Sequence, residues 1–139
     1  MVVYSDEFSF ETAKGTDIID ITSQILESVE SSSIKNGIIC VFSPGSTSAV
    51  TTIEYELGLV HDLENALERI VPEFLEYRHN ERWNDGNGHS HIRASLIGQS
   101  ISLPLIDGKI PLGTWQQVIC LNLDNRPRTR KVIVQIVGD

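Results

Sequence analysis

The sequence predicts an α+β fold, a mainly antiparallel two-layer β-sandwich with flanking helices, and three observations predict it. Strand-like apolar runs dominate the C-terminal half, and two stretches with helical spacing punctuate the N-terminal half. The chain of 139 residues is 40% apolar, enough for one real core, and it carries no repeat, linker or low-complexity tail. A single domain spanning residues 1–139 is therefore expected.

The elements follow in order. VVYSDEFSFET alternates apolar and polar residues as a half-buried strand ending near Lys14-Gly15. A helix comes next, capped by Asp20 or Thr22, with Ile21, Ile25 and Val29, and Leu26 beside them, at helical spacing until Ser31 to Ser33 and Asn36-Gly37 break the pattern. IICVF reads as a buried strand, and the β-branched segment Ala49 to Tyr55 reads as its partner across the Pro44-Gly45-Ser46 turn. From Leu59 to Val71, the residues Leu59, Leu63, Ala66, Leu67 and Ile70 line one helix face, which must end before Pro72; His61 lies off that stripe, at the surface. IRASLIG makes a short helix closed by Gly98. SISLPLI, WQQVICLNL and RKVIVQIV then read as strands divided by Asp107-Gly108 and by Asn125 to Pro127.

Composition excludes several functions. A formal charge of −8 argues against a nucleic-acid coat, whose affinity comes from neutralising phosphates. No run of apolar residues is long enough to span a membrane, and MVVYSDEFSFE lacks the basic start and apolar middle of a secretory signal, so a soluble, cytoplasmic protein is expected. Cys40 and Cys120 both sit in apolar runs and read as buried free thiols. Positive charge is concentrated at Arg126, Arg128, Arg130 and Lys131, which can mark a place for an anionic ligand or simply a solvated strand face.

The segment HNERWNDGNGHSHIR, His79 to Arg93, holds three of the four histidines and reads as a functional loop. On an extended backbone His89 and His91 point to one side and can reach one metal ion. His79 is the third candidate ligand, and Asp85 can complete the sphere or hold a histidine in its tautomer. Imidazole donors suit zinc best, without excluding other transition metals. The alternative to metal is direct acid–base work by His79 or His91, and residue types do not separate the two. Asp85, Asn87 and Glu54 are the candidate catalytic groups. PGSTSAVTTIEYE presents Ser46, Thr47 and Ser48 in a glycine-containing turn suited to an anion, ahead of Glu54 and Glu56 on one strand face. In GTWQQ, Trp115 offers a flat face and Gln116 a donor and an acceptor for a heteroaromatic ring, although core packing competes for the tryptophan.

Five motifs in order carry a resemblance over nearly the whole chain: the Thr-Ser-Ala turn at Thr47, Tyr77-Arg78-His79, HIRASLIG, LGTWQ at Leu112 to Gln116, and RPRTRKVIVQIVG. Together they resemble the YjbQ-like family, the secondary thiamine-phosphate synthase enzymes, and TTIEYE, GNGHSH and GTWQQ are most similar to its archaeal members. The resemblance implies an α+β sandwich, a homotrimer, and a weak ability to join a pyrimidine pyrophosphate to a thiazole phosphate. In that reading the histidine loop and a metal meet the diphosphate, Ser46, Thr47, Arg126 and Arg128 hold phosphate, and the pyrimidine stacks on Trp115 beside Gln116. A trimer would also let the basic tail of one subunit complete the loop site of its neighbour.

One departure stands out. Family members commonly carry a histidine where this chain has Ser46, while the retained histidines map onto His79 and His91. The expectation is that His89 replaces the missing ligand. Three functions stay open: a transferase of phosphorylated pyrimidine and thiazole units, a module that binds metal or a small anionic metabolite without turnover, and a metal-dependent phosphate-ester hydrolase.

Overall fold

A computed structural model describes all 139 residues, Met1–Asp139. The elements are β1 (Val2–Thr12), β2 (Asp17–Asp20), α1 (Thr22–Ser32), β3 (Gly37–Phe42), β4 (Ser48–Ile53), α2 (Leu57–Ile70), α3 (Arg78–Trp83), α4 (Gly88–Ile97), β5 (Ser100–Leu105), β6 (Gln117–Asn122) and β7 (Arg128–Gly138). They form a four-stranded sheet in the order β1-β7-β3-β5 and a three-stranded sheet in the order β2-β6-β4. Every strand pair is antiparallel, as the sequence predicts.

Period-2 alternation decides what each sheet buries. In β7, Val132, Val134 and Ile136 point inward and meet Ile39 and Val41 of β3, Leu103 and Leu105 of β5, and Val50, Val118 and Cys120 of the second sheet. The predicted α1 stripe closes this core: Ile21 and Ile25 are fully buried and Val29 nearly so. Each such side chain contributes about 1.5–3 kcal/mol. The expected cap by Asp20 or Thr22 is not formed: Ile21 holds the N-cap position of α1 without a side-chain cap, and Asp20, one residue earlier, accepts on Oδ1 from the Thr22 N–H at 3.0 Å and the Thr22 hydroxyl at 2.7 Å. The opposite face of the second sheet (Ile18, Ala49, Ile119, Leu121, with Leu123) is covered by Leu67 of α2 and Ala94 of α4.

Six further expectations about the fold need correction, five of them local. Residues Ala49 to Tyr55 do not pair with IICVF: β3 is flanked by β5 and β7, and β4 joins β6, so the Pro44–Thr47 turn carries the chain from one sheet to the other. IICVF is half-buried rather than buried, with Ile38, Cys40 and Phe42 exposed, because no helix covers the outer face of the four-stranded sheet. Cys40 is thus an exposed thiol, whereas burial pushes the Cys120 thiol up to about 11. DIID, read only as a helix start, is the edge strand β2 on β6. On α2, Ile70 lies outside the buried stripe at 70% exposed.

The largest correction concerns His79 to Arg93, which is not a long loop. It folds into α3 and α4, leaving only Asn84 to Asn87 between them. Asn84 adopts the left-handed conformation that ends α3, its N–H reaching the Asn80 carbonyl, and Gly86 turns the chain at φ +67°. Gly98 closes α4 as predicted.

Candidate functional site

The first cluster grows out of β7. Arg130 continues the inward row of Val132, Val134 and Ile136, but it stands where the apolar core ends, so its guanidinium crosses from one sheet to the other. It is 7% exposed and donates from Nε to Asn122 Oδ1 at 3.0 Å and from Nη2 to the Thr47 carbonyl at 3.0 Å and hydroxyl at 2.7 Å. The Thr47 hydroxyl in turn donates a hydrogen bond to Asp124 Oδ2 at 3.1 Å. Fully buried Asp124 also accepts from Asn87 Nδ2 (3.1 Å), the Arg126 N–H (3.0 Å), and Arg128 Nε and Nη2 (3.1 and 2.9 Å). Burial alone would push the Asp124 carboxyl up; the donors of Asn87, Arg128, Thr47 and Arg126 outweigh it and hold the carboxyl below its ordinary range. Burial also lowers the Arg130 guanidinium, opposed by the charge of Asp124.

Two guanidinium groups, Arg126 and Arg128, therefore stand against the Asp124 carboxylate, and a third, Arg130, is joined to it through Thr47. Arg128 spends two of its nitrogens on Asp124, and Arg126 is 65% exposed with Nε 3.9 Å from that carboxylate. Positive charge is left over at this turn of a protein whose net charge is −8. The other sequence candidates here are structural. Asn87 uses its amide on Asp124 and its carbonyl on the Ser90 hydroxyl and the Asn125 N–H, and Thr47 is committed at both ends. Ser46 stays exposed on the turn.

The histidines divide. On a helix, residues two apart diverge by about 200°, so His89 and His91 do not share a side as an extended backbone would place them. His91 pairs instead with His79 of α3, ring centroids 4.5 Å apart, and His79 Nδ1 lies 3.3 Å from Asp85 Oδ1. His89 turns inward, 3% exposed, 6.5 Å from the Tyr77 ring, and its Nδ1 has no hydrogen-bond partner. Burial first, and then the charge of Arg93, lower its pKa below the ordinary 6.5. Arg93 is itself buried, donating to the Val71 carbonyl at 2.9 Å and to Glu68 at 2.7 Å. Within one chain no three His, Cys, Asp or Glu side chains are placed to hold a metal ion. The residues of a single chain thus do not fit a complete metal centre, and His89 does not supply the ligand expected to replace the one missing at Ser46.

Glycine sets the α3–α4 junction. A Cβ on Gly88 would lie 2.5 Å from Tyr77 Cβ, while the Gly88 N–H reaches Asn80 Oδ1 at 2.9 Å. Gly88→Ala is expected to destabilise the protein by about 1–3 kcal/mol despite the better helix propensity of alanine. Urea unfolding checks this, and a variant as stable as wild type refutes the packing argument.

A second cluster lies around Trp115, which is not part of a strand and is 72% exposed. It lines a cleft of about 600 Å³ with Asp20, Glu54, Tyr55, Glu56, Leu57, Thr114 and Gln117. Gln116 does not face a ligand: its Oε1 accepts the Gly113 N–H at 3.0 Å and its Nε2 donates to Thr52 at 3.1 Å, holding the turn below the tryptophan. Gln117, which the sequence did not single out, lines the cleft and accepts the Tyr55 N–H.

The register fixes how far apart the two clusters are. Ser48 pairs with Asn122 at one end of the β4–β6 ladder, and Ile53 pairs with Gln117 at the other. Thr47 and Asp124 lie beyond the first end, Glu54 and Trp115 beyond the second, roughly 17 Å of strand apart. The sequence-predicted residues thus form two half-sites at opposite poles of one sheet. Asp124, Asn122 and Tyr77 were missed as site-building residues, and Arg130, read only as part of a basic cluster, proves to be the buried member of it. The signal for Asp124 and Asn122 was the pattern N-x-D-x-R-x-R-x-R, an acid and an amide set against alternating arginines as the chain enters a strand.

Comparisons with known proteins agree with this architecture. A "UPF0047 protein" of Methanothermobacter thermautotrophicus is 44% identical over 138 residues, covering 99% of this chain and 94% of that one. Another, from Archaeoglobus fulgidus, is 40% identical, covering 93% and 98%. A crystal structure of a YbjQ-like protein of unknown function from Sulfolobus solfataricus superposes with a TM-score of 0.94 at 34% identity, covering 99% of each chain. An uncharacterised protein of the same family from Clostridium acetobutylicum gives 0.87 at 34% identity, covering 95% of this chain and 99% of that one. The family profile described as "UPF0047 protein YjbQ-like" matches residues 6–139, so the matched segment contains both half-sites, and the chain belongs to the YjbQ-like UPF0047 family.

Proposed function

We propose that the protein binds a small phosphorylated ring compound and acts as a weak transferase that joins a pyrimidine pyrophosphate to a thiazole phosphate, the activity that its resemblance to secondary thiamine-phosphate synthases implies. The observation that carries the reading is the surplus of guanidinium groups over carboxylate at Arg126, Arg128 and Arg130. Arginine is the residue suited to phosphate, through two parallel N–H donors, and buried Asp124 holds Arg128 in a fixed orientation. Departure of diphosphate as the new bond to the thiazole ring forms needs such a cation cluster. The His79–His91 pair with Asp85 offers imidazole for proton transfer.

The pole-to-pole separation supports a homotrimer in which the Trp115 cleft of one subunit meets the arginine and histidine pole of the next, as a site shared between copies requires. A divalent ion, zinc by donor type or magnesium with a diphosphate, belongs to this proposal only if substrate or a neighbouring subunit adds donors to His79 and His91. The proposed setting is cytoplasmic; no helix is long and apolar enough to cross a membrane. The second reading, a module that binds a small anionic metabolite without turnover, draws on the same exposed Arg126 beside the Asp124–Arg128 pair.

The test is incubation of the purified protein with the two phosphorylated units, with and without zinc or magnesium, following thiamine phosphate by mass. Product formation that falls at least tenfold in Arg128→Ala supports the transferase. Saturable binding of either unit without product supports the binding module, and phosphate released from simple esters supports a hydrolase. Absence of both binding and turnover overturns the proposal.

A further inference from the structure

The cleft at the Trp115 pole has a chemistry of its own. Three carboxylates line it, Asp20, Glu54 and Glu56, and no lysine, arginine or histidine does. Two of them are already fixed in place. Asp20 Oδ1 accepts from Thr22, and both Glu56 oxygens accept N–H groups at the start of α2, from Gly58 and Leu59, each at 2.8 Å. Those two backbone donors hold the Glu56 carboxyl below its ordinary range, so it carries full charge at neutral pH. Glu54 has no such duty and stands at the strand end with its carboxylate available.

Independently of the charge, the cleft presents aromatic and apolar surface that the fold leaves uncovered. Trp115 is 72% exposed, Leu57 88% and Tyr55 42%. These side chains are held rather than loose: the Tyr55 hydroxyl donates to the Ile18 carbonyl at 3.0 Å, and the Gln116 amide clamps the Gly113–Gln116 turn that carries Trp115. A tryptophan face is the best π surface for a cation, and its attraction grows when carboxylates surround the same space. A cavity of about 600 Å³ falls within the range of small-ligand sites and takes one ring with its substituents.

We infer that this cleft selects a flat organic cation, a heteroaromatic ring bearing positive charge, stacked on Trp115 with its charge facing Glu54. The inference rests on the proposed function only in placing a ring on Trp115, and it changes which ring that is: the pyrimidine and thiazole rings of the two substrates are neutral, so the cleft favours the cationic thiazolium ring of the product over either of them. Neutral rings lose the ion pairing, and anionic rings meet three carboxylates. A phosphate on such a ring must point out of the cleft, away from Asp20, Glu54 and Glu56.

Three rings of nearly the same shape and different charge test this: 1-methylnicotinamide (cation), nicotinamide (neutral) and nicotinate (anion). The chain has two tryptophans, so Trp83→Phe leaves Trp115 as the only indole reporter. Saturable fluorescence quenching by the cation is expected, at least tenfold tighter than by the neutral ring, with the anion weakest. Glu54→Gln should reduce the cation-to-neutral ratio to about threefold or less, and Trp115→Leu should abolish binding measured by calorimetry in the otherwise wild-type protein. Equal affinity for cation and neutral ring, or no saturation by the cation up to about 10 mM, overturns the inference. Cation selectivity in a protein that forms no thiamine phosphate keeps the inference and removes the transferase. Product formation without cation selectivity does the reverse.

Discussion

Replacing Asp124 with alanine is expected to cost about 3–5 kcal/mol of folding stability, the largest single effect among the polar residues of the site. The reason is what the deletion leaves behind. Arg130 stays buried between the sheets, Arg128 loses the acceptor of two of its donors, and Asn87 and Thr47 lose theirs. Buried donors without acceptors cost more than the net worth of the bonds they made. Asp124→Asn keeps an acceptor but not the charge and should fall between wild type and alanine. Guanidinium unfolding of the three proteins measures this, and a loss below about 1 kcal/mol for alanine would show that water replaces the carboxylate. The sign with pH follows from the lowered carboxyl pKa. The charged form is favoured in the fold, so this contribution is complete above the ordinary carboxylate range and is lost as pH falls through the folded value.

His79→Ala and His91→Ala are expected to lower turnover or ligand binding by about 100-fold or more, the usual worth of a positioned acid–base group. His89→Gln should leave that function within a few-fold of wild type and change stability instead. His89 is disfavoured in its charged form by burial and by Arg93, so the unfolded chain takes up the proton first. Stability is therefore full above pH 6.5 and declines as pH falls below it, and His89→Gln should flatten that decline. Turnover or binding assays, with unfolding between about pH 7 and pH 5, separate the roles. If His89→Gln behaved like the other two in the functional assay, the division of the histidines drawn from α4 would be wrong.

The strands of the sandwich were legible because burial on one face writes a period of two into β1 and β7, and α1 because its stripe is confined to three positions on one face. Gly98 and Pro72 marked helix ends correctly, since both act through local backbone geometry. Pairing was less legible. IICVF and the segment after Pro44-Gly45-Ser46 look like a hairpin by turn chemistry, yet β3 takes β5 and β7 on its two edges. Competition among seven strands for edges is not written in any one turn.

The candidate site shows the same division. Which residues are candidates for chemistry could be read locally: histidines near Asp85, arginines after Asn125, and a tryptophan between Thr114 and Gln116. Whether two of them share a face depended on secondary structure. An extended backbone would have joined His89 to His91; a helix separates them and gives His91 to His79. Whether a side chain is free depended on partners distant in sequence. Thr47 and Asn87 are consumed by Asp124, at separations of 77 and 37 residues, and no local signal reports that.

The sequence by itself determined the α+β class and the alternation that buries each strand face, because these follow from residue type and short-range spacing, and its motifs in order marked the family and the candidate side chains. Only the tertiary structure decided that Asp124 and Arg130 bind the two sheets together, that His89 is buried beside Arg93 and away from His91, and that the Trp115 cleft and the arginine turn lie at opposite ends of one sheet. Those outcomes depend on register and on contacts between residues far apart in the chain, where one step of strand pairing moves a side chain to the other face.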